Sequence, residues 1–247
     1  EGTDTVVRYH RMDTNGGACR ARNEAARRAE GSILMFLDDD DKWEPQKIEG
    51  QLKQLYCKPK LGLVYSGRKV VDEEGNILYK IRPSSEGWLE REMLQWNLIG
   101  TTSSAAIRAD VFKEVGGFDA SMPALQDYDL WIRASREAPV GYDSNCTVRW
   151  RIHAQPDTQM AGKPDIYHNA FSRIYEKYEL NLQELNAIDY RRAMSWRYAV
   201  LASKYAHAGS AQQYWYALKS ISQYPTLSGL SKLLPLSLAQ TVRGFLY

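Results

Sequence analysis

The residues with the clearest chemical potential are four consecutive aspartates, residues 38–41, which directly follow the apolar stretch SILMFL at residues 32–37. Carboxylates this close repel one another and raise one another's pKa values. A divalent cation relieves that repulsion, and hard oxygen ligands suit Mg²⁺ or Mn²⁺. The run therefore predicts a metal site, and a metal there could neutralise charge on a leaving diphosphate. Two purely structural roles stay open: Asp41 could cap a helix, or the run could be a solvated acidic loop.

A second candidate for chemistry is Asp127, at the start of a helical pattern in residues 125–133 (LQDYDLWIR), shortly after GGFD at residues 116–119. A carboxylate at a helix start that faces a ligand cleft can act as a general base and accept the proton of an attacking hydroxyl. Asp127 and Asp129 could both instead be first-turn carboxylates that the helix dipole favours. We assign the base to Asp127 and the structural role to Asp129.

These residues need elements that bring them to one cleft. Residues 5–10 (TVVRYH) predict a strand, residues 18–30 a helix, and residues 32–37 a strand covered on both faces, as in a parallel sheet. Strand, helix, strand is the βαβ unit of an α/β domain. Open α/β sheets bind ligands beyond the carboxyl ends of their strands, which is where residues 38–41 would lie.

Strands and helices continue to alternate as far as residue 152, and the pattern then changes. Strands are predicted at 62–65, 69–71, 77–81, 103–107 and 147–152, and helices at 43–56, 87–96, 109–115 and 125–136. After these, only helices are predicted, at 165–180, 182–208 and 210–224. We therefore divide the chain into an α/β domain, residues 1–160, and a C-terminal helical region, residues 161–247.

Composition limits the classes of function. The chain has 247 residues, 44% hydrophobic and 25% charged, which is typical of a soluble globular protein. Lys+Arg 32 against Asp+Glu 30 gives a net charge of +2, which argues against a dedicated nucleic-acid binder. Cys19, Cys57 and Cys146 lie far apart without metal-ligand spacing, so we expect free thiols and a reducing compartment.

The expected location is the cytoplasm. No apolar run reaches the ~20 residues that a membrane-spanning helix needs. Residues 227–247 combine Leu, Pro and Phe with a few basic residues, and could lie on the inner face of a membrane. Packing of this stretch on the domain is the interpretation we favour, and peripheral membrane contact stays open.

The motifs together resemble a known family. Residues 15–23 (NGGACRARN) and 31–43 (GSILMFLDDDDKW) are similar to the N-x-G-x-x-x-A-R-N and F-L-D-x-D-D-x-W segments of family 2 glycosyltransferases. Residues 116–119 and 125–133 resemble that family's G-G-F-D and E-D-x-D-L-W-x-R segments. The resemblance implies a GT-A-like fold, a mixed sheet flanked by helices, followed here by a C-terminal helical region. It also implies inverting transfer of a sugar from a nucleotide-diphospho-sugar, UDP-linked in the commonest case, to an acceptor hydroxyl.

The resemblance also implies roles on the donor side. In the family, the D-x-D element touches the ribose and holds the metal on the donor diphosphate. It maps onto Asp38, Asp39 and Asp40, with Asp40 as the metal ligand, and four aspartates in a row leave the register open by one residue. Arg22 and Asn23 would lie near the donor, although Arg22 could equally be a helix-surface arginine.

On the acceptor side, the aspartate of the family's E-D pair is the catalytic base, and it maps onto Asp127. Gln126 stands where glutamate is usual, which removes one negative charge beside the base. His153 resembles the family's R-x-H histidine, which can complete the metal site or touch the diphosphate; a surface or core role for His153 stays open.

These assignments predict a Mg or Mn cofactor, a nucleotide-sugar donor, a glycan, lipid-linked or protein acceptor, and no nucleic acid. The work of such an enzyme would be polysaccharide or glycoconjugate synthesis. The family's opening P-x-Y-N and D-D-G-S segments are not present, so we expect the natural protein to be longer. Two alternatives remain: a non-catalytic or truncated transferase-like binding module, and a sugar-nucleotide nucleotidyltransferase, whose Gly-rich basic loop is not visible.

Overall fold

A computed structural model describes residues 5–152 and 163–234 of the chain. The strands are β1 (Ile33–Met35), β2 (Lys42–Trp43), β3 (Leu63–Val71), β4 (Ile77–Ile81), β5 (Ala105–Arg108) and β6 (Val140–Arg151). The helices are α1 (Gly17–Arg28), α2 (Lys47–Cys57), α3 (Glu90–Gln95), α4 (Ala109–Glu114), α5 (Gln126–Glu137), α6 (Pro164–Lys177), α7 (Glu179–Gln183), α8 (Ala187–His207), α9 (Gln212–Gln223) and α10 (Leu227–Ser231).

One mixed sheet organises the part of the chain that precedes α6. Its strands lie in the order β1-β5-β3-β6-β2, and β4 pairs with β3 beside this path. β3 and β6 run parallel, and the other strand pairs of the described residues are antiparallel. Helices flank this sheet and follow it, so the predicted α/β class with a mixed sheet and a C-terminal helical region is confirmed.

Two predictions near the start of the chain are wrong. Residues 5–10 form no strand, and Val6, Val7 and Tyr9 are exposed, because no strand of the described chain lies beside them to pair with their backbone groups. β1 pairs antiparallel with β5 instead of lying in a parallel sheet, so the strand–helix–strand unit does not form. An apolar run predicts burial of a strand, but it carries no information on the direction of the neighbouring strand.

The central strands are longer than predicted. β3 runs unbroken through Ser66 and Gly67, where the sequence suggested a gap between two strands. A Cβ at Gly67 would lie 2.7 Å from both the Cys146 sulfur and the Ile81 carbonyl oxygen, so the glycine permits close packing of β3, β4 and β6. α2 begins four residues later than the predicted start at residue 43, because Trp43 belongs to β2.

The C-terminal helices pack on the core of the sheet. Ala170, Ile174, Tyr178, Leu182 and Ala193, from the segment 164–193, share one hydrophobic cluster with residues of β3, β5 and α5. A second cluster joins α6, α8 and α9, and consists of Phe171, Leu201, Ala202, Tyr216 and Ala217. The division of the chain between residues 160 and 161 stays a prediction.

Two further expectations concern thiols and membranes. Cys19, Cys57 and Cys146 are all free thiols in the structure. Within residues 5–152 and 163–234, no helix combines the length and the hydropathy that crossing a bilayer requires. The compartment in which the protein works stays a prediction.

Candidate functional site

An open cleft of about 400 Å³ lies beside the acidic run. It is bounded by α1 on one side and by the segment that follows β1 on the other. Its lining residues are Ala18, Ala21, Arg22, Leu37, Asp38, Asp39 and Asp40. The cleft therefore brings together the two segments, residues 15–23 and 31–43, that the sequence motifs linked to a donor site.

Arg22 points into this cleft. Its Nη2 donates a hydrogen bond to Asp38 Oδ1, and both side chains are half-buried. Its guanidinium carbon also lies 5.5 Å from the centroid of the Phe118 ring. The cation thus faces the first aspartate of the run, and the alternative of a plain helix-surface arginine does not describe it.

Asp41 differs from the three aspartates before it because it is buried. Its N–H donates to Asp38 O at 3.1 Å, and its Oδ1 accepts from the N–H of Arg151 at 3.3 Å. Burial raises the pKa of Asp41 to about 6, against hydrogen bonds from Ser103 and Arg151 that lower it. The N-cap of α2 is Gln46, so Asp41 does not cap that helix.

A short 3₁₀ turn (Thr102–Ser104) supports the acidic run from inside the protein. Ser103 Oγ accepts from the Asp38 N–H at 3.1 Å, and Ser103 O accepts from Trp43 Nε1 at 2.9 Å. The carbonyl of the last residue of the turn accepts from the buried Gln51 Nε2 at 2.7 Å. Because buried polar groups with partners are costly to displace, this network fixes the backbone at Asp38.

Asp127 lies in the first turn of α5. The preceding Leu125 has a φ of 59°, the single positive value for a non-glycine residue in the described part of the chain. Such backbone strain is held only where surrounding packing demands it. Asp127 Oδ1 accepts a hydrogen bond from the N–H of Tyr128 at 2.7 Å.

The electrostatic surroundings of Asp127 include the acidic cleft. Burial raises the pKa of Asp127 to about 6, and the negative charge of Asp38 raises it too. The N–H of Tyr128 and the cations Arg22 and Arg68 act in the opposite direction. The ionisation of Asp127 therefore responds to charges that lie at the cleft beside residues 38–40.

Asn23 ties the two motifs together. Its Nδ2 donates to Phe118 O at 2.8 Å, and its Oδ1 accepts from the Phe118 N–H at 2.9 Å. From the other side, Arg133 Nη1 donates to the carbonyls of Val115 and, at 2.7 Å, Gly117. Asn23 thereby positions the glycine turn before α5, and its contact with a donor stays a prediction.

Asp129 is a buried structural residue. Its Oδ2 accepts from Arg133 Nη2 at 2.6 Å, and its Oδ1 accepts from Tyr178 at 2.8 Å and lies 2.7 Å from Lys177 Nζ. These bonds join α5 to the C-terminal helices. This placement matches the structural role expected of Asp129 from the sequence. Ion pairs with Arg133 and Lys177 hold the carboxylate, in addition to any effect of the helix dipole.

Arg68, on β3, is a residue of the site that sequence reasoning missed. Its Nη1 donates to Ile99 O at 2.8 Å, and its guanidinium carbon lies 5.8 Å from the Trp150 ring centroid. Burial lowers the pKa of Arg68, and the charges of Asp127 and Asp41 are among those that oppose this. Its Nε is buried and has no hydrogen-bond partner among the described residues.

Gly100 makes room for Arg68. It has a φ of 89°, and a Cβ there would lie 1.5 Å from Arg68 Nη1. The turn is fixed because Gly100 N donates to Asn97 Oδ1 at 2.8 Å and Trp131 Nε1 donates to Gly100 O at 3.1 Å. In the sequence, a glycine three residues after an asparagine indicates a turn. Its contact with an arginine on β3 can be seen only in the folded structure.

Two C-terminal residues also belong to the surroundings of Asp127. Lys204 of α8 places its Nζ 4.2 Å from the ring centroid of Tyr167 of α6. Burial lowers the pKa of Lys204 to about 8 and raises the pKa of Tyr167 to about 12, and the charge of Asp127 raises both. From sequence this region is recognisable only as helices, because no local pattern relates residues 167 and 204 to residue 127.

The predicted metal ligands are Asp40 and His153. His153 lies outside the described residues, and within those residues no three His, Cys, Asp or Glu side chains converge as a metal-binding group. Asp38, Asp39 and Asp40 do line the cleft, and carboxylate oxygens are ligands that Mg²⁺ and Mn²⁺ prefer. These carboxylates are of the type that could hold a divalent cation, and the metal itself stays a prediction.

Comparison with known families identifies the class. The family described as glycosyltransferase-like family 2 matches residues 3–184, which is more than half of the chain. The chain belongs to this family, and the predicted resemblance is confirmed. Membership also places the mixed sheet and its flanking helices in the GT-A-like fold class expected from the sequence.

Individual relatives are similar over part of their length. An uncharacterized glycosyltransferase of Rickettsia conorii is 33% identical over 156 residues, 60% of this chain and 25% of that protein. The putative teichuronic acid biosynthesis glycosyltransferase TuaG of Bacillus subtilis is 27% identical over 156 residues, 62% of this chain and 59% of TuaG. The chain spans between 22% and 48% of the length of the rickettsial and Haemophilus influenzae relatives that it matches. Among solved structures, S. aureus TarS gives a TM-score of 0.44 at 14% identity, over 90% of this chain and 72% of that chain.

Proposed function

We propose that this chain forms the metal-, donor- and acceptor-binding part of an inverting glycosyltransferase that moves a sugar from a UDP-linked donor to an acceptor hydroxyl. One observation supports it above the others: Asp38, Asp39 and Asp40 line a cleft with Arg22 of α1, and Asn23 of the same helix is bonded to the glycine turn that leads into α5 and Asp127. A donor site and a base must lie at one cleft for a group to pass between them. Family membership supplies the reaction class.

On the donor side, the cleft beside α1 is the proposed site of the nucleotide diphosphate. Asp38, held by Arg22 and by the Ser103 hydroxyl, would accept hydrogen bonds from the ribose. Asp40 would hold Mg²⁺ or Mn²⁺, with Asp39 beside it and His153 as the further predicted ligand. A bound metal would neutralise the charge that develops on the leaving diphosphate.

On the acceptor side, Asp127 is the proposed base. Inversion requires a group that removes the acceptor proton as its oxygen attacks the anomeric carbon. A carboxylate whose pKa is about 6 is mostly ionised at neutral pH and is a better proton acceptor than an ordinary aspartate. Burial and Asp38 raise that pKa, whereas Arg22 and Arg68 limit the rise and keep the carboxylate ionised.

The acceptor is proposed to be a growing glycan or lipid-linked sugar in polysaccharide synthesis. The printed name of the relative TuaG, which refers to teichuronic acid biosynthesis, supports this class. Lys204 and Tyr167, whose pKa values the charge of Asp127 raises, would border the acceptor in this proposal. A cytoplasmic location at the inner membrane face is part of the same proposal.

The proposal is tested by UDP release from a panel of UDP-sugars with Mn²⁺, beside calorimetric binding of UDP. Asp127→Asn should lower turnover by ~10²–10⁴-fold, the usual contribution of a general base, while UDP binding is unchanged. Asp110→Asn is the matched control, because Asp110 is an exposed carboxylate in the first turn of α4. It should leave both quantities unchanged.

Each alternative predicts another result. Equal turnover by wild type and Asp127→Asn would exclude Asp127 as the base. No Mn²⁺-dependent UDP binding by the full-length protein would favour the non-catalytic module. Pyrophosphate release from UTP and a sugar 1-phosphate would favour the nucleotidyltransferase.

A further inference from the structure

The charged residues are unevenly distributed along the chain. Asp189 is the last acidic residue, and residues 190–247 contain seven Lys and Arg but no Asp or Glu. The preceding 189 residues contain 25 Lys and Arg against 30 Asp and Glu. The described helices of this final segment, most of α8 with α9 and α10, are therefore basic, while the part before them is acidic.

One face of α9 is apolar and open to solvent. Tyr216, Ala217 and Ser220 are buried on the side that packs against α8. The opposite side presents Trp215 and Leu218, which are 52% and 59% exposed. Residues three and four positions apart lie on one helix face. The remaining members of that face are Ala211, Tyr214 and Ser222, all of them uncharged and exposed.

α10 packs against α9 and also exposes large apolar side chains. Leu227 is 64% exposed, and Leu230 is exposed as well. We define the α9–α10 apolar surface as Tyr214, Trp215, Leu218, Leu227 and Leu230. Five large exposed apolar or aromatic side chains on two helices in contact are more than scattered surface residues, and such concentrations mark interaction sites.

Cations border this surface. Lys219 Nζ lies 3.7 Å from the Trp215 ring centroid, and Arg191 Nη2 donates to the carbonyl of Ser222 at 3.0 Å. Lys232 directly follows α10. Trp and Tyr favour the boundary between lipid and water, and Lys and Arg stems extend along apolar surface while their charges reach the headgroups.

We propose that the α9–α10 apolar surface binds a bilayer that contains anionic lipids. The aromatic and leucine side chains would enter the boundary between headgroups and acyl chains, with Arg191, Lys219 and Lys232 at the level of the lipid phosphates. The absence of acidic residues after Asp189 makes this face complementary to a negative surface. A second copy of the chain fits less well, because a symmetric contact would bring the same cations together without an acid between them.

The surface is connected with the proposed active site. Lys204, which interacts with Asp127, is followed on α8 by Tyr205, whose ring stacks on Tyr216 of α9 at 5.0 Å and 8°. A bilayer against α9 would therefore lie on the helical layer that borders the acceptor side. The inference itself rests on the surface alone and does not need transferase activity.

Sedimentation with vesicles tests the inference on the 247-residue chain. The wild type should bind mixed phosphatidylglycerol–phosphatidylcholine vesicles far more tightly than pure phosphatidylcholine vesicles. Trp215→Ala combined with Leu218→Ala should weaken binding by about tenfold or more, because two large apolar side chains are lost. Leu180→Ala is the matched control, since Leu180 is 75% exposed but lies on α7, and it should bind as the wild type does.

A charge variant tests whether the cations beside the surface contribute to the binding of anionic lipids. Lys219→Gln with Lys232→Gln should weaken binding to anionic vesicles by about 25-fold, at roughly fivefold per lysine. Circular dichroism should show unchanged helix content in all variants, because the substituted residues lie at the surface.

Two results would overturn the inference. One is a wild-type chain that stays in solution with anionic vesicles. The other is equal vesicle binding by wild type and the Trp215/Leu218 variant. Analytical ultracentrifugation identifies the competing occupant: a wild-type dimer that the same variant converts to a monomer, without vesicle binding, would assign the surface to a second copy.

Discussion

The two carboxylate regions of the proposed site, residues 38–41 and the start of α5, are built differently. Three of the four aspartates in the first region line an open cleft, where α1 and the Thr102–Ser104 turn contact the first of them. Asp127 shares the first turn of α5 with Asp129, which is held in ion pairs, and the cations that act on Asp127 come from α1, β3 and α8. The carboxylates of the cleft are consecutive in the chain, whereas the ionisation of Asp127 depends on residues far away in sequence.

The largest expected effect concerns the open region. Asp40→Asn should lower UDP release by ~10²-fold or more at fixed Mn²⁺, because it removes the carboxylate proposed to hold the metal. Asp41→Asn makes the same change one residue later, on a side chain that is buried and not in the cleft, and should alter turnover far less. Equal losses of turnover in the two variants would contradict the assignment of the metal to Asp40 and of a structural role to Asp41.

Asp41→Asn should also change the stability of the protein. Because the pKa of Asp41 rises from 3.8 to about 6 on folding, its contribution to stability is fully present below 3.8 and is lost as the pH rises through 6. Asp41→Asn should therefore raise the unfolding temperature at neutral pH relative to wild type, and much less so below pH 3.8. Thermal melts at the two pH values measure this.

The second effect concerns the ionisation of Asp127, at the start of α5. If Asp127 must be ionised to act, kcat/KM should fall about tenfold for each pH unit below its pKa of about 6. The pH profile of UDP release measures this limb. A profile that stays flat well below pH 6 would contradict the role of Asp127 and remove the contrast between the two regions.

The third effect tests whether distant residues set the ionisation of Asp127. Arg68→Gln removes a cation that lowers the pKa of Asp127, so the acidic limb should move to higher pH by up to about one unit. Lys69→Gln is the control, because Lys69 pairs with Glu44 at 2.6 Å, and it should leave the limb in place. Identical pH profiles for Arg68→Gln and wild type would show that the charge of Arg68 does not affect the ionisation of Asp127.

The smallest effect on chemistry should come from Asn23→Ala. It leaves the N–H and carbonyl of Phe118 without their partners, which should lower the free energy of unfolding by about 1–3 kcal/mol. Asn181→Ala is a suitable control, since its single long bond to Glu90 measures 3.3 Å. Urea unfolding compares them, and equal stability losses would show that the link between the motifs is weak.

The part of the site that sequence reasoning could predict is the part made by adjacent residues. The acidic run after an apolar strand and the carboxylate at the start of α5 were both visible, because the chain itself places them. Burial of Asp41 and the approach of Arg68 to Asp127 were not visible, since both depend on how separate strands meet. The direction of β1 against β5 was missed for the same reason: apolar content indicates burial but not pairing.

The two hydrogen bonds between Asn23 and Phe118 of the glycine turn have a consequence for how related sequences diverge. A Cβ at Gly117 would lie 2.7 Å from Asn23 Oδ1, and the glycine has a φ of 68°. A side chain at position 117 is therefore expected to fit better after Asn23 has been replaced by a smaller residue, whereas replacement of Asn23 does not require a change at position 117. Among natural variants, residues other than glycine at position 117 should occur mainly where the asparagine is absent.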